Sequence, residues 1–179
     1  ARKLNDESIE LFCTVMRACP KAELVLKSIS FHEKAERTRI RKRFEKAGLD
    51  PKRLILLEWI EGGINHLQLY RHLDVALDPI PYGGATTTAE ALWMGVPVIT
   101  KTGGSYVSRM STAVLRGAEL DNWCTQSTDE YVDMAVENAQ HIQSLRSSRS
   151  SWREKVRQSP LGDADDLMRH LFASFRALR

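Results

Sequence analysis

Apolar positions fall into two alternating rhythms along this chain. Residues 5–20, NDESIELFCTVMRACP, offer Asn5 or Asp6 as a helix cap, place Ile9, Leu11, Phe12, Val15 and Met16 at helical spacing and stop at Pro20, which predicts an amphipathic helix. AELVLKS follows, a short continuous apolar run of the kind that forms a strand buried on both faces. EKAERTRIRKRFEKAG then predicts a charged helix ending at Gly48, and RLILLEW a second buried strand. The rhythm repeats with INHLQLYRHL as helix and DVALD as strand, and again with TTTAEALWMG as helix and VPVIT as strand. Strands of about five residues separated by helices predict parallel βαβ units with right-handed crossovers, and so an α/β fold with a doubly wound, Rossmann-like parallel sheet. After Gly104 the pattern turns helical through SYVSRMSTAVLRGA, STDEYVDMAVENAQHIQSLRSSRSSWREKVRQ and DADDLMRHLFASFRAL. Pro160 and Gly162 separate the last two helices, and Asp163 is placed to cap the final one. The expected organisation is a single domain over residues 1–179, with the sheet core in 1–125 and C-terminal helices in 126–179.

Composition narrows the classes this fold can serve. A chain of 179 residues with 42% apolar content is enough for one such domain and too short for two. Its net charge of +3 comes from 26 basic and 23 acidic residues mixed along the chain, which argues against a broad nucleic-acid surface. The locally basic SLRSSRSSWREKVR carries Trp152 as its one aromatic, so it reads as a solvated helix face and not a base-stacking platform. Cys13, Cys19 and Cys124 are odd in number and lack CxxC or Cys/His ligand spacing, which points to packing residues in a reducing compartment and to no metal site. No apolar run approaches the roughly 20 residues of a membrane span, and ARKLNDESIE lacks a signal-peptide core. A cytoplasmic protein without membrane contact is expected, and the missing initiator methionine fits a fragment.

The candidate chemistry lies in residues 79–100, PIPYGGATTTAEALWMGVPVIT. Strand DVALD delivers the chain to the carboxyl edge of the sheet, where doubly wound folds bind ligands. Gly83 and Gly84 permit positive φ and, lacking Cβ, let a ligand approach the backbone. The helix then opens on Thr86, Thr87 and Thr88, whose unpaired N–H groups, hydroxyls and helix dipole suit an anion such as a diphosphate. An alternative makes Thr87 the N-cap and Glu90 the second half of a capping box; Glu90 is otherwise free to accept from a ribose diol. The stretch has neither the Gly-Lys-Ser/Thr of a Walker loop nor GxGxxG, which leaves a nucleotide-sugar as the common diphosphate ligand. Asp74 and Asp78 flank the DVALD strand, and Asp74 is expected at a helix-to-strand turn.

LDPIPYGGATTTAEALWMGVPVITKTGGSYVSRM resembles the catalytic region of the O-linked N-acetylglucosamine transferase family, including its bacterial members and the plant SPINDLY branch, and the likeness runs on to SPLGDADDLMRHL. The resemblance implies the C-terminal, donor-binding lobe of a two-lobed GT-B glycosyltransferase. By position it implies that Gly84, Ala85, Thr86 and Thr87 meet the diphosphate, that Glu90 holds the ribose, that His66 stacks on the base and that Lys3 contacts the donor phosphates as the catalytic group. It further implies a nucleotide-sugar donor, a UDP-sugar and UDP-N-acetylglucosamine foremost, with UDP-glucose and GDP-fucose, used by related branches, left open, no metal or other cofactor, a protein or peptide acceptor with its Ser/Thr hydroxyl, and no nucleic acid. The family also carries a strand just before the lysine, an N-terminal lobe and, in many members, TPR repeats, none of which these residues contain, so this half alone is expected to be inactive. The sequence departs from animal members at Gly63 and Leu69, where they have a lysine and an arginine, and at Ala85, where they have a histidine. A Rossmann-like module that binds a nucleotide without transferring anything is the competing expectation.

Overall fold

A computed structural model describes residues 3–58 and 63–178. Asn5 caps α1 (Asp6–Ala18) by accepting from the Ser8 N–H, and the helix buries Ile9, Leu11, Phe12, Val15 and Met16. β1 (Leu24–Lys27) and β2 (Leu54–Leu57) pair in parallel, from Leu24 opposite Leu54 to Lys27 opposite Leu57. The charged α2 (Lys34–Lys46) crosses between them and buries only Ile40 and Phe44. α3 (Gly63–Gln68) passes into a 3-10 turn at Leu69–His72. A second parallel group has the order β3 (Ala76–Leu77), β4 (Val98–Lys101), β5 (Cys124–Thr125), with α4 (Thr86–Trp93) and α5 (Met110–Gly117) as its crossovers. Residue 59, the end of the predicted second strand, lies outside the described residues.

The parallel βαβ alternation is that of the sequence pattern, with differences of detail. β5 was not expected, because two residues leave no periodicity to read. The single helix expected over 127–158 is three: α6 (Thr128–Gln140), α7 (Ile142–Ser147) and α8 (Arg149–Gln158). At the second break the Ser147 and Ser148 hydroxyls both donate to the Ser144 carbonyl, the local competition by which serine interrupts helices. The bend lets Arg146 form two bonds to Asp74, at 2.6 and 2.9 Å, with Arg149 at 3.7 Å from the same carboxylate. Asp74 is thus at the turn before β3 and fastens the C-terminal helices to the core. Gly95 carries φ +71° where α4 ends, and a Cβ there would lie 2.5 Å from the Arg149 carbonyl, so the end of α4 meets the backbone of α8 this closely only because the residue is glycine. α9 (Ala164–Ala177) closes the chain, capped by Asp163.

Trp152 packs edge-on against Trp123 with centroids 5.2 Å apart, which places the one aromatic of the basic segment against the core. Cys13 and Cys19 are buried and Cys124 half-buried, all three as free thiols. Among the described residues no helix is long and apolar enough to cross a membrane.

Among the described residues the two strand groups do not join. β1 and β3 face each other across a cavity of about 530 Å³ lined by Leu24 to Leu26 on one side and Val75 to Leu77 on the other, with Phe12 and Met16 of α1 and Ala135 and Ala139 of α6 closing it.

Candidate functional site

Beyond β3 the chain makes a loop tied to a buried carboxylate and to the helices around it. Asp78, 5% exposed, accepts from the Gly84 N–H at 2.8 Å and from the Thr100 hydroxyl at 2.7 Å, while its own carbonyl accepts from the Tyr131 hydroxyl at 3.1 Å. Ser8 of α1 staples the loop from below, donating to the Ile80 carbonyl at 2.6 Å and accepting from its N–H at 3.1 Å. Ser111 of α5 donates to the Gly84 carbonyl at 2.9 Å. Gly84 therefore has both peptide groups engaged inside the protein and shapes the loop from beneath.

The glycine pair serves packing and not positive φ: among described glycines the positive values are at Gly48 and Gly95. A Cβ on Gly83 would stand 2.9 Å from Asp78 Oδ2, and one on Gly84 2.6 and 2.7 Å from the Thr88 and Thr87 hydroxyls. The expectation of left-handed backbone at this pair is corrected accordingly.

The capping-box alternative does not form either. α4 begins at Thr86 with Ala85 as its N-cap and no side-chain cap bond. Its first intrahelical bond is from Ala89 to the Ala85 carbonyl at 3.0 Å, which leaves the N–H groups of Thr86, Thr87 and Thr88 pointing out of the helix end. Thr86 and Thr87 are exposed and Ala85 half-buried. Thr88 is buried, with its hydroxyl 2.9 Å from that of Ser111, so two of the three threonines face solvent. Lys3 reaches this loop from the other end of the sequence: its ammonium donates to the Gly83 carbonyl at 2.8 Å and lies 4.4 Å from the centre of the Tyr82 ring. Burial lowers the Lys3 pKa, and the charge of Asp78 opposes that shift.

Glu90, freed from capping, faces α3. Its Oε2 is 3.0 Å from His66 Nε2 and 3.4 Å from the Tyr70 hydroxyl, and the other ring nitrogen of His66 meets Lys27. His66 and Tyr70 stack edge-on at 5.9 Å. Burial, reinforced by Glu90, raises the Tyr70 pKa, so the phenol stays a donor. The structure thus gathers Lys3, Ala85, Thr86 and Thr87 at one end of α4 and His66 with Glu90 one turn along it. Gly63 starts α3 and Leu69 follows it.

Sequence reasoning did not single out Lys27, Tyr70 or Ser111 and gave Asp78 no role. Lys27 carried a legible signal, a charge ending the apolar strand LVLK at the carboxyl edge of the sheet. Asp78 carried a weaker one, a carboxylate closing DVALD before a proline-rich exit.

Burial raises the Asp78 pKa, while bonds from Ser111, Thr100 and Gly84 and the charge of Lys3 pull it down. A folded carboxyl with a raised pKa binds its proton more tightly than the unfolded one, so its contribution to stability is intact below the unfolded pKa and lost as pH rises through the folded value. Asp78→Asn removes that titration. Relative to wild type, the variant is expected to gain stability between about pH 4 and pH 7, whatever its offset at acid pH. Urea denaturation at both values checks this, and a flat or opposite trend would show that the buried charge is fully compensated.

The sequence profile of glycosyl transferase family 41 matches residues 2–171. The chain is 32% identical over 176 residues to a protein of Solanum lycopersicum named probable UDP-N-acetylglucosamine–peptide N-acetylglucosaminyltransferase SPINDLY, and 30% identical over 174 residues to its Arabidopsis thaliana counterpart. These alignments take in 98% and 97% of the chain and 19% of each relative, so the chain spans about a fifth of their length. Among solved structures, a mutant O-GlcNAc transferase of Thermobaculum terrenum superposes with a TM-score of 0.87 at 30% identity, over 98% of this chain and 34% of that one. The α/β architecture is that of its catalytic region. On the extent of the profile match and of these alignments, the chain belongs to glycosyl transferase family 41.

Proposed function

We propose that this chain is the donor-binding half of a glycosyltransferase that moves a sugar, N-acetylglucosamine foremost, from a nucleoside diphosphate to Ser/Thr hydroxyls of a protein in the cytoplasm. The observation that carries the reading is the uncapped amino end of α4 opening beside Lys3. Outward N–H groups, two exposed hydroxyls and an ammonium suit a diphosphate. As the sugar leaves, negative charge grows on that diphosphate, and Lys3 with the α4 amides would stabilise it without a metal ion. Glu90 would take the ribose and His66 the base. The relatives named for UDP-N-acetylglucosamine support UDP as the nucleotide, and the acceptor and its base would come from another lobe.

Calorimetric titration with UDP and GDP tests the reading. UDP is expected to bind more tightly, and Thr86→Val combined with Thr87→Val to weaken it at least about tenfold, the loss of one hydrogen bond to a charged group, with the melting temperature unchanged. Undiminished affinity in a folded double variant would move the diphosphate off α4.

A further inference from the structure

Lys27 ends β1 at the carboxyl edge of the sheet, and its ammonium is 2.5 Å from His66 Nδ1. An ammonium has protons to give and no lone pair, so Nδ1 accepts and the single ring proton belongs on Nε2, 3.0 Å from Glu90 Oε2. The Tyr70 hydroxyl approaches the same oxygen. Among the described residues both hydrogen bonds to the carboxylate fall on Oε2, and Oε1 is the oxygen turned to a ligand in the scheme below. Burial lowers the Lys27 pKa, and Glu90 counteracts the shift; the ammonium is kept at a cost in hydration that a lysine turned to solvent would avoid.

We propose that Lys27 is a positioning residue for the nucleotide's ribose: by holding His66 in its Nε2–H form it anchors one oxygen of Glu90 and presents the other to the ribose diol. The inference rests on the donor-site reading above. Without Lys27 only the Glu90 carboxylate still holds the ring proton on Nε2, and the Nδ1–H form gains population. In that fraction Nε2 turns a lone pair toward the carboxylate, repulsion replaces the hydrogen bond, and the carboxylate loses its fixed aim. Lys27 touches neither diphosphate nor sugar in this scheme. Its removal should therefore alter how the 2′-hydroxyl is read more than how tightly the phosphates are held.

The test compares wild type, Lys27→Met and Lys27→Arg by two measurements. Ring-nitrogen NMR of His66 reports the tautomer, and calorimetry gives the affinity ratio of UDP to 2′-deoxy-UDP. Wild type is expected to show the Nε2–H form and about tenfold preference for the ribonucleotide. Lys27→Met should show a mixed tautomer and a preference within about twofold of unity, with Lys27→Arg restoring both, since a guanidinium also donates to Nδ1. An unchanged tautomer in folded Lys27→Met overturns the inference. So does a loss of affinity equal for both nucleotides, which would be plain attraction of the ammonium for phosphate. If wild type binds neither nucleotide, the donor-site reading falls and takes this inference with it; binding with an unaltered ribose preference in Lys27→Met sinks this inference alone.

Discussion

The 179-residue chain by itself is expected to transfer no sugar to an acceptor peptide, whereas a polypeptide extended upstream through a first lobe should turn over. The site is one-sided. Thr86 and Thr87 are exposed at the end of α4, so water reaches the diphosphate position and screens the charges meant to act there. Among the described residues the carboxylates of the site are committed elsewhere: Asp78 is buried under Gly84 and Thr100, and Glu90, anchored through one oxygen by His66 and Tyr70, faces the ribose position. An acceptor hydroxyl also needs a surface to align it with the anomeric carbon. Lys3 is the sharper part of the expectation. It now donates to the Gly83 carbonyl, one residue from the loop's link to Asp78, and a short swing would carry the ammonium onto a bound diphosphate. In the longer polypeptide Lys3→Ala is expected to reduce turnover by about 10²–10³, the cost of losing one donor to developing charge, with a smaller effect on donor affinity. Transfer of labelled sugar measures both points. Turnover by the 179-residue chain would refute the division of labour, and an active Lys3→Ala variant would remove the lysine from the reaction.

What the sequence disclosed follows from which signals are local. α1, α2 and the strands LVLK, LILL and VITK were legible because each carries its own period and its own cap or breaker. β5 and the breaks at His141 and Ser148 were not: β5 exists because Thr100 and Lys101 of β4 lie opposite it, and the α7–α8 break, begun locally by the Ser147 and Ser148 hydroxyls, is fixed by Asp74 drawing in Arg146 and Arg149. The same division holds at the site. The amino end of α4 was readable from GGATTT. The roles of its parts were not, because Gly83 and Gly84 are required by Asp78, Thr87 and Thr88, and Thr88 by Ser111. Local spacing offered Glu90 to Thr87 as a capping partner; the fold gives it to His66 and Tyr70 from a different helix and turn.

A strand running parallel between β1 and β3, supplied by polypeptide preceding Lys3, is expected to protect the facing edges and stiffen the whole site. The carboxyl ends of β1 and β3 point the same way, since Leu26, Lys27 and Ser28 line one small cleft with Leu77 and Pro79, and Lys3 and Leu4 line it too. α1, which follows, covers the larger cavity with Phe12 and Met16, as the helix of a βα unit covers the strand before it. Hydrogen bonding fixes which groups await a partner. Ser28 donates to Leu57 of β2, and Ala76 and Asp78 donate to Pro97 and Ile99 on the β4 side. The two-residue alternation of a strand therefore turns the peptide groups of Val25, Val75 and Leu77 into the cavity. Neighbouring strands stand about 4.8 Å apart, so one added strand would join two separate sheets into one of six. Several new backbone bonds in an apolar slot should add about 2–4 kcal/mol and slow amide exchange at Val25, Val75 and Leu77 roughly thirtyfold or more. Exchange measured residue by residue on the 179-residue chain, and on one lengthened by about ten upstream residues, reads this directly. Lengthening that leaves these three amides as fast as before would mean that the sheet is completed by something else, and that no preceding strand fixes Lys3 at the site.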